Sequence, residues 1–312
     1  MNQKILRLDW FSFICATCAA FVCFDIFFQF FFEKDIFGIV SISPRHYSGV
    51  FGAELIAGGY MQKFALFFFF LPFAQKKNFF YKIPILFIIF IFFTGGITIS
   101  GNRMPLILFI LSFLIFLFVD KKKRKYLLTT LVAVFLFFLL SIKSSETYKH
   151  HLTNFYHHGK NLIISLSIKD LAQESMVTAR KPYVLEFHCF KIIWKNNPIF
   201  GGGLKSYRIQ DGGCNNHPHN YYFEILTDLG IVGLSIILFF IFMLLRKILL
   251  KESTSFQFNL KNLDSKVMPF FLIFFFEFFP FRTSGSFFTT SNASIIFIVL
   301  AILVSLVSKK KR

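Results

Sequence analysis

Acidic residues are scarce in this chain: 16 Asp and Glu stand against 34 Lys and Arg, leaving a formal net charge of +18. Cysteine occurs only five times in 312 residues, which excludes a disulfide-built scaffold. Cys15, Cys18 and Cys23 fall inside the first apolar run, where a thiol behaves as a small hydrophobe. Cys189 and Cys214 form a pair only if their segment is extracytoplasmic. No internal repeat is present, so the chain is not a repeat array. The basic surplus invites a nucleic-acid partner, but its placement excludes one. Much of it sits in short clusters at the ends of apolar runs, at 76–77, 121–125, 246–247 and 309–312, where it orients helices in a membrane.

Apolar side chains fill the rest. A soluble domain averages about 45–50% apolar residues, whereas here they make up 55%, and 51 residues are Phe. The class is integral membrane protein, with the lipid bilayer as partner. A helix needs about 20 mostly apolar residues to cross a bilayer. Candidate runs are 10–32, 60–73, 83–99, 104–119, 126–142, 229–245, 267–281 and 293–307. The second and seventh are short. The first run follows Lys4 and Arg7 like a signal peptide, but it continues to Phe32 and is expected to stay as an uncleaved helix.

Placing the 121–125 cluster in the cytoplasm puts the other short-loop clusters there too. Both termini are then cytoplasmic, the tip Ser100-Gly101-Asn102-Arg103 faces outward, and so does the long polar segment 143–228. That segment carries more Lys and Arg than Asp and Glu, which suggests an anionic partner outside. The expected fold is all-α: a polytopic membrane protein with about eight transmembrane helices and one large, partly helical periplasmic loop. Residues 1–142 hold helices one to five, 143–228 the loop, and 229–312 helices six to eight. Within the loop, 175–196 has room for a helix or two, and Pro198 with Gly201-Gly202-Gly203 marks a turn.

The loop ends at His217-Pro218-His219-Asn220, and an apolar run begins almost at once. His217-Pro218 predicts a helix start. On one continuous helix, Gly230 would lie beneath His219, displaced by roughly 20°, with Gly233 close to the same stripe. Small residues there would let another helix approach and hold the histidine rigidly. An ordinary packing stripe beside a coincidental histidine explains the spacing equally well.

The run His219-Asn220, nine residues, Gly230, two residues, Gly233 resembles the signature of the O-antigen ligase superfamily. That superfamily includes lipopolysaccharide O-antigen ligases, O-antigen polymerases and bacterial protein O-oligosaccharyltransferases. Arg180, Trp194, Asn197-Pro198-Ile199-Phe200-Gly201 and Gly203 resemble the lead-in to that signature. Thr98-Ile99-Ser100-Gly101-Asn102-Arg103 is similar to an arginine-bearing hairpin of the family, and Arg45 with Ser48-Gly49-Val50-Phe51-Gly52 to an earlier outer loop. The similarity runs through most of residues 25–308. Two departures stand out. Leu234 follows the second glycine, where Gly, Thr or Tyr is common, and only five spans precede the loop, fewer than members usually carry. The resemblance therefore implies a chain lacking the N-terminal helices.

The resemblance implies a metal-independent, inverting glycosyl transfer at the periplasmic face of a bacterial inner membrane. A glycan leaves a polyprenyl-diphosphate lipid for an acceptor hydroxyl, with lipid A–core as the expected acceptor. A departing diphosphate calls for fixed cations, and the planar guanidinium fork suits phosphate oxygens. Arg103 is the first candidate, followed by Arg45 and Arg180; Arg208 reads as a solvated loop charge. His219, with an ordinary pKa of about 6.5, suits either a general base or a donor to the diphosphate. His217 is its plausible neighbour and Asn220 its orienting group. Glu54, Asp211 and Glu224 are alternative bases, each with a structural reading. His150, His151, His157 and His158 raise a metal site, but adjacent pairs in a polar loop supply poor convergent geometry. No metal and no cofactor are expected. The alternatives are a polymerase with the same donor, a transporter, and an inactive truncated remnant. A transporter should carry ionisable groups deep in the membrane, and Asp25 and Glu277 are the chief ones, both near span ends.

Overall fold

In a medium without water every peptide group must find its partner inside its own segment, so long uninterrupted Phe, Ile and Leu runs close into helices. The structure is a computed structural model describing residues 8–41, 46–74, 83–119, 128–129, 131–132, 135, 153, 182–209, 217–249, 267–282 and 285–309. Among these residues the longer elements are all helical: α1 Leu8–Phe32, α2 Ala57–Ala74, α3 Ile83–Ile99, α4 Arg103–Val119, α5 Pro182–Asn196, α6 Tyr221–Leu249, α7 Met268–Glu277 and α8 Thr290–Lys309. The one β feature described is an isolated bridge between Lys34 and Val40.

Three helices, α1, α6 and α8, are long and apolar enough to cross a membrane. Their outward faces are apolar and uncovered: Trp10, Phe13 and Ile14 on α1, Ile236, Phe239 and Phe242 on α6, and Phe297 on α8 are all exposed. Faces of that kind are stable against acyl chains, not water. Arg246 and Lys247 close the last turn of α6, where cations meet the negative end of the helix dipole.

The chain divides into two compact units. The first combines Met1–Glu146 with Leu263–Ile273, and the second Thr147–Asn262 with Phe274–Arg312. In the first, Phe69, Phe90, Phe109 and Phe113 from α2, α3 and α4 form an interlocked aromatic core, with Phe90 and Phe113 rings 4.3 Å apart. Asp25 and Gln29 are fully buried in α1. The Asp25 carboxylate accepts the N–H groups of Ile36 and Val50 at 2.9 and 2.7 Å, and Gln29 Oε1 accepts that of Gly49 at 2.9 Å. Asp25 thus ties the segment after α1 to the helix.

The run expected at 267–281 is helical only over Met268–Glu277. At about 1.5 Å per residue these ten residues span roughly 15 Å, half of a hydrocarbon core. The irregular residues that follow have satisfied carbonyls: Phe278 O accepts the Tyr222 hydroxyl and Pro280 O accepts Asn220 Nδ2 at 2.8 Å, while in the last turn of α7 Phe276 O accepts Arg282 at 3.2 Å. Non-helical backbone is tolerated in an apolar medium only when it is bonded to protein in this way. The expected run 126–142 lies largely outside the described residues, as do the histidine pairs at 150–151 and 157–158 and the basic clusters at 76–77 and 121–125.

Candidate active site

Arg103 is the first residue of α4 and half-buried. The tip before it turns through Gly101, whose φ of +73° is a conformation that suits glycine. Asn102 fixes the tip: its Oδ1 accepts the Gly58 N–H at 2.9 Å, and its Nδ2 donates to Leu55 O at 3.0 Å. Any Cβ on Gly58 would come within 2.5 Å of Asn102 Cβ, so the Asn102 side chain sits directly on the Gly58 backbone. The guanidinium is therefore carried on a clamped turn. Arg45 and Arg180 lie outside the described residues, as does Asp211. Glu54 is exposed in the loop before α2.

In the second unit, His217, Pro218, His219 and Asn220 precede α6, which begins at Tyr221. The helix start expected at His217-Pro218 is displaced, because Asn220 is the cap. Its Oδ1 accepts the N–H groups of Tyr222 and Phe223 at 2.9 and 3.3 Å, satisfying donors that a helix terminus leaves open. His219 adopts φ +44°, a left-handed conformation costly for a residue with a Cβ and characteristic of functional sites. The His217 and His219 rings meet edge to face with centroids 4.2 Å apart. Burial, then the positive charges of His219 and Arg208, hold the His217 imidazole below its usual range.

The continuous stripe from His219 to Gly233 is also corrected. Gly230 has φ +67° and ψ −168° and breaks α6. What approaches it is a turn, not a helix: a Cβ there would stand 2.2 Å from Ile199 O. The Asn197–Gly203 turn docks along the break. Gly202 N and Gly203 N donate to the carbonyls of Thr227 and Asp228 at 2.8 and 3.0 Å. Ile231 N and Val232 N return bonds to Pro198 O and Ile199 O at 3.0 and 3.2 Å. Asp228 accepts Lys205 N at 2.8 Å and Ser206 Oγ at 2.9 Å. The turn replaces the helical bonds that the break removes. Gly233 serves its own helix, since a Cβ there would press on Leu229 Cβ at 2.2 Å.

Two carboxylates flank this segment. Glu224 is buried in the first turn of α6 and accepts Ser286 Oγ and the Phe287 N–H, tying the segment before α8 to the histidine's helix. Beside it, Tyr221 Oη donates to Glu277 Oε1 at 2.8 Å, and Glu277 Oε2 pairs with Arg282 at 2.5 Å. The other carboxylate is Glu186 of α5. Its Oε1 lies 3.8 Å from His219 Nε2, with side-chain exposures of 6% for the glutamate and 42% for the histidine.

The O-antigen ligase family model matches residues 86–238, a span holding Arg103, Glu186 and the whole run from His219 to Gly233. These residues form an O-antigen ligase domain. No curated protein and no solved structure matches the chain. That domain, together with the apolar helices, supports a membrane protein of enzymatic O-antigen ligase type, a ligase- or polymerase-like glycosyltransferase in the broad sense. Its partners are in general a lipid-linked glycan and an acceptor.

Within the matched span the Asn197–Gly203 turn and the signature form one piece of local structure: the turn seats on Gly230, and the same helix begins at the Asn220 cap behind His219. Glu186 was not among the expected site residues. A signal for it existed, since Glu186, Cys189, Phe190 and Ile193 share one buried face of α5 at helical spacing, and an acid on an apolar stripe asks for a reason. Cys189 is disulfide-bonded, whereas Cys15, Cys18 and Cys23 are free; Cys214 lies outside the described residues. Among the described residues no group of three His, Cys, Asp or Glu is arranged to hold a metal ion.

Proposed function

We propose that this chain transfers a glycan from a polyprenyl-diphosphate lipid to a hydroxyl of lipid A–core, at the periplasmic face of a bacterial inner membrane. The observation that carries the reading is the family match, which covers both the arginine hairpin and the histidine signature. In the reaction the acceptor oxygen bonds to the anomeric carbon as the bond from that carbon to the phosphate oxygen breaks. The electron pair leaves with the lipid diphosphate, and the configuration inverts. His219 takes the hydroxyl proton, a role favoured by its partial exposure and strained placement at a helix start. Arg103, with Arg45 and Arg180, neutralises the departing diphosphate, whose charge a guanidinium meets through two parallel hydrogen bonds. His217 and Asn220 shape the histidine's surroundings. No metal takes part.

In this reading the chain crosses the membrane eight times with both termini cytoplasmic, and residues 143–228 lie outside. The disulfide at Cys189 supports that placement, because such bonds persist in oxidising compartments. The bonded carbonyls after α7 support a crossing completed by irregular backbone. A deletion strain tests the acceptor. Loss of all attached glycan from surface-polysaccharide blots is the expected result, whereas retention of a single repeat unit means a polymerase.

A further inference from the structure

An acid buried on the inner face of α5 is costly unless something compensates it. Here α5 packs on the first half of α6 and on the turn at 206–209. Phe190 stacks on Phe223 with centroids 4.4 Å apart, and Tyr207 Oη donates to the Glu186 carbonyl at 3.3 Å. These contacts fix the α5 backbone at Glu186 beneath the segment that carries His219. The Glu186 carboxylate stands 3.8 Å from His219 Nε2, beyond hydrogen-bond reach but within ion-pair range. His217 meets the same ring edge to face.

We propose that Glu186 is the positioning residue of His219: its buried carboxylate backs the imidazole, fixes which nitrogen turns inward, and stabilises the imidazolium formed when the ring takes the acceptor's proton. This rests on the transfer reaction proposed above and names the group that drives its histidine. Proton and charge balance. The hydroxyl proton ends on His219, and the positive charge it creates is met by the Glu186 carboxylate, which takes up no proton in the step. Other charged and titratable groups on the packed elements include His217 in the same segment, His188, Lys191 and Lys195 on α5, Arg208 and Tyr207 on the 206–209 turn, and Tyr221, Tyr222, Glu224 and Asp228 on α6. Arg208 and a protonated His217 oppose the imidazolium. Glu186 is the carboxylate the structure pairs with it.

The test is the titration of His219 by NMR in the full chain, with histidine ring labels and the protein in lipid nanodiscs. An opposite charge at this range favours the charged form by about one pH unit or more. Glu186→Gln keeps the side chain's size while removing its charge, so the His219 midpoint is expected to fall by about one unit or more, and the histidine-dependent limb of the transfer pH profile to move with it. Glu186→Asp retains the charge on a shorter arm and should give an intermediate midpoint; it decides the matter if the Gln variant does not fold. A folded variant that titrates at the wild-type midpoint overturns the proposal. Full transfer by His219→Ala would instead overturn the reaction itself. Loss of transfer in His219→Ala with an unmoved midpoint in the Glu186 variants overturns only the role of Glu186.

Discussion

His217 and His219 share a few ångströms of space, yet their surroundings differ. His219 is backed by a buried carboxylate, whereas His217 is desolvated and faces the charges of His219 and Arg208. For His217 the sign is definite: the folded value lies below the unfolded one of about 6.5, so the unfolded chain binds the proton more readily. The protein therefore loses stability as pH falls from about 6.5 through the folded value, and keeps it above. His219→Ala removes one of the two opposing charges, so the His217 midpoint measured by NMR should rise in that variant. A midpoint that stays put would mean that burial and Arg208 set it without His219. At the same scale, His219→Ala and Arg103→Ala should each abolish glycan attachment on surface-polysaccharide blots while the membrane-bound amount of protein stays at the wild-type level.

The element that organises the second unit is α6, and its break at Gly230 carries the argument. Gly230→Ala forces a Cβ onto Ile199 O and demands a left-handed backbone from alanine. The expected cost is at least about 2 kcal/mol, read as a lowered thermal transition in detergent. Asp228→Ala strips the partners of Lys205 N and Ser206 Oγ, for about 1–3 kcal/mol. Much of this was legible in the sequence. Unbroken apolar runs marked α1, α3, α4, α6 and α8, Pro198 with three glycines marked the docking turn, and the segment 175–196 anticipated α5. The break in α6 was not legible, because a glycine inside an apolar run reads equally as a packing notch; only the docked turn shows that its left-handed φ is used. The true start of α6 was hidden similarly. Pro218 suits a first helical position, but the Asn220 side chain reaches the free N–H groups and sets the boundary two residues on. Glu186 escaped notice because pairing it with His219 needs the packing of α5 on α6, a contact no local pattern encodes.

For the whole molecule, the proposal makes α5 external and the end of α6 internal. Lys195 and Lys247 are both exposed and sit at those two places. In intact cells, single cysteines replacing them should react differently with a membrane-impermeant maleimide. Lys195→Cys should label from outside, and Lys247→Cys only after the membrane is opened. Labelling in the reverse order would invert the topology and put the histidine segment on the wrong side for a periplasmic acceptor.

The most direct test of the central claim is transfer by the purified chain in liposomes, supplied with a polyprenyl-diphosphate-linked glycan and lipid A–core and followed by gel mobility of the acceptor. The wild-type protein should attach the glycan without added metal, and the His219→Ala variant, folded and inserted, should attach none. Transfer by that variant at the wild-type rate would contradict the account.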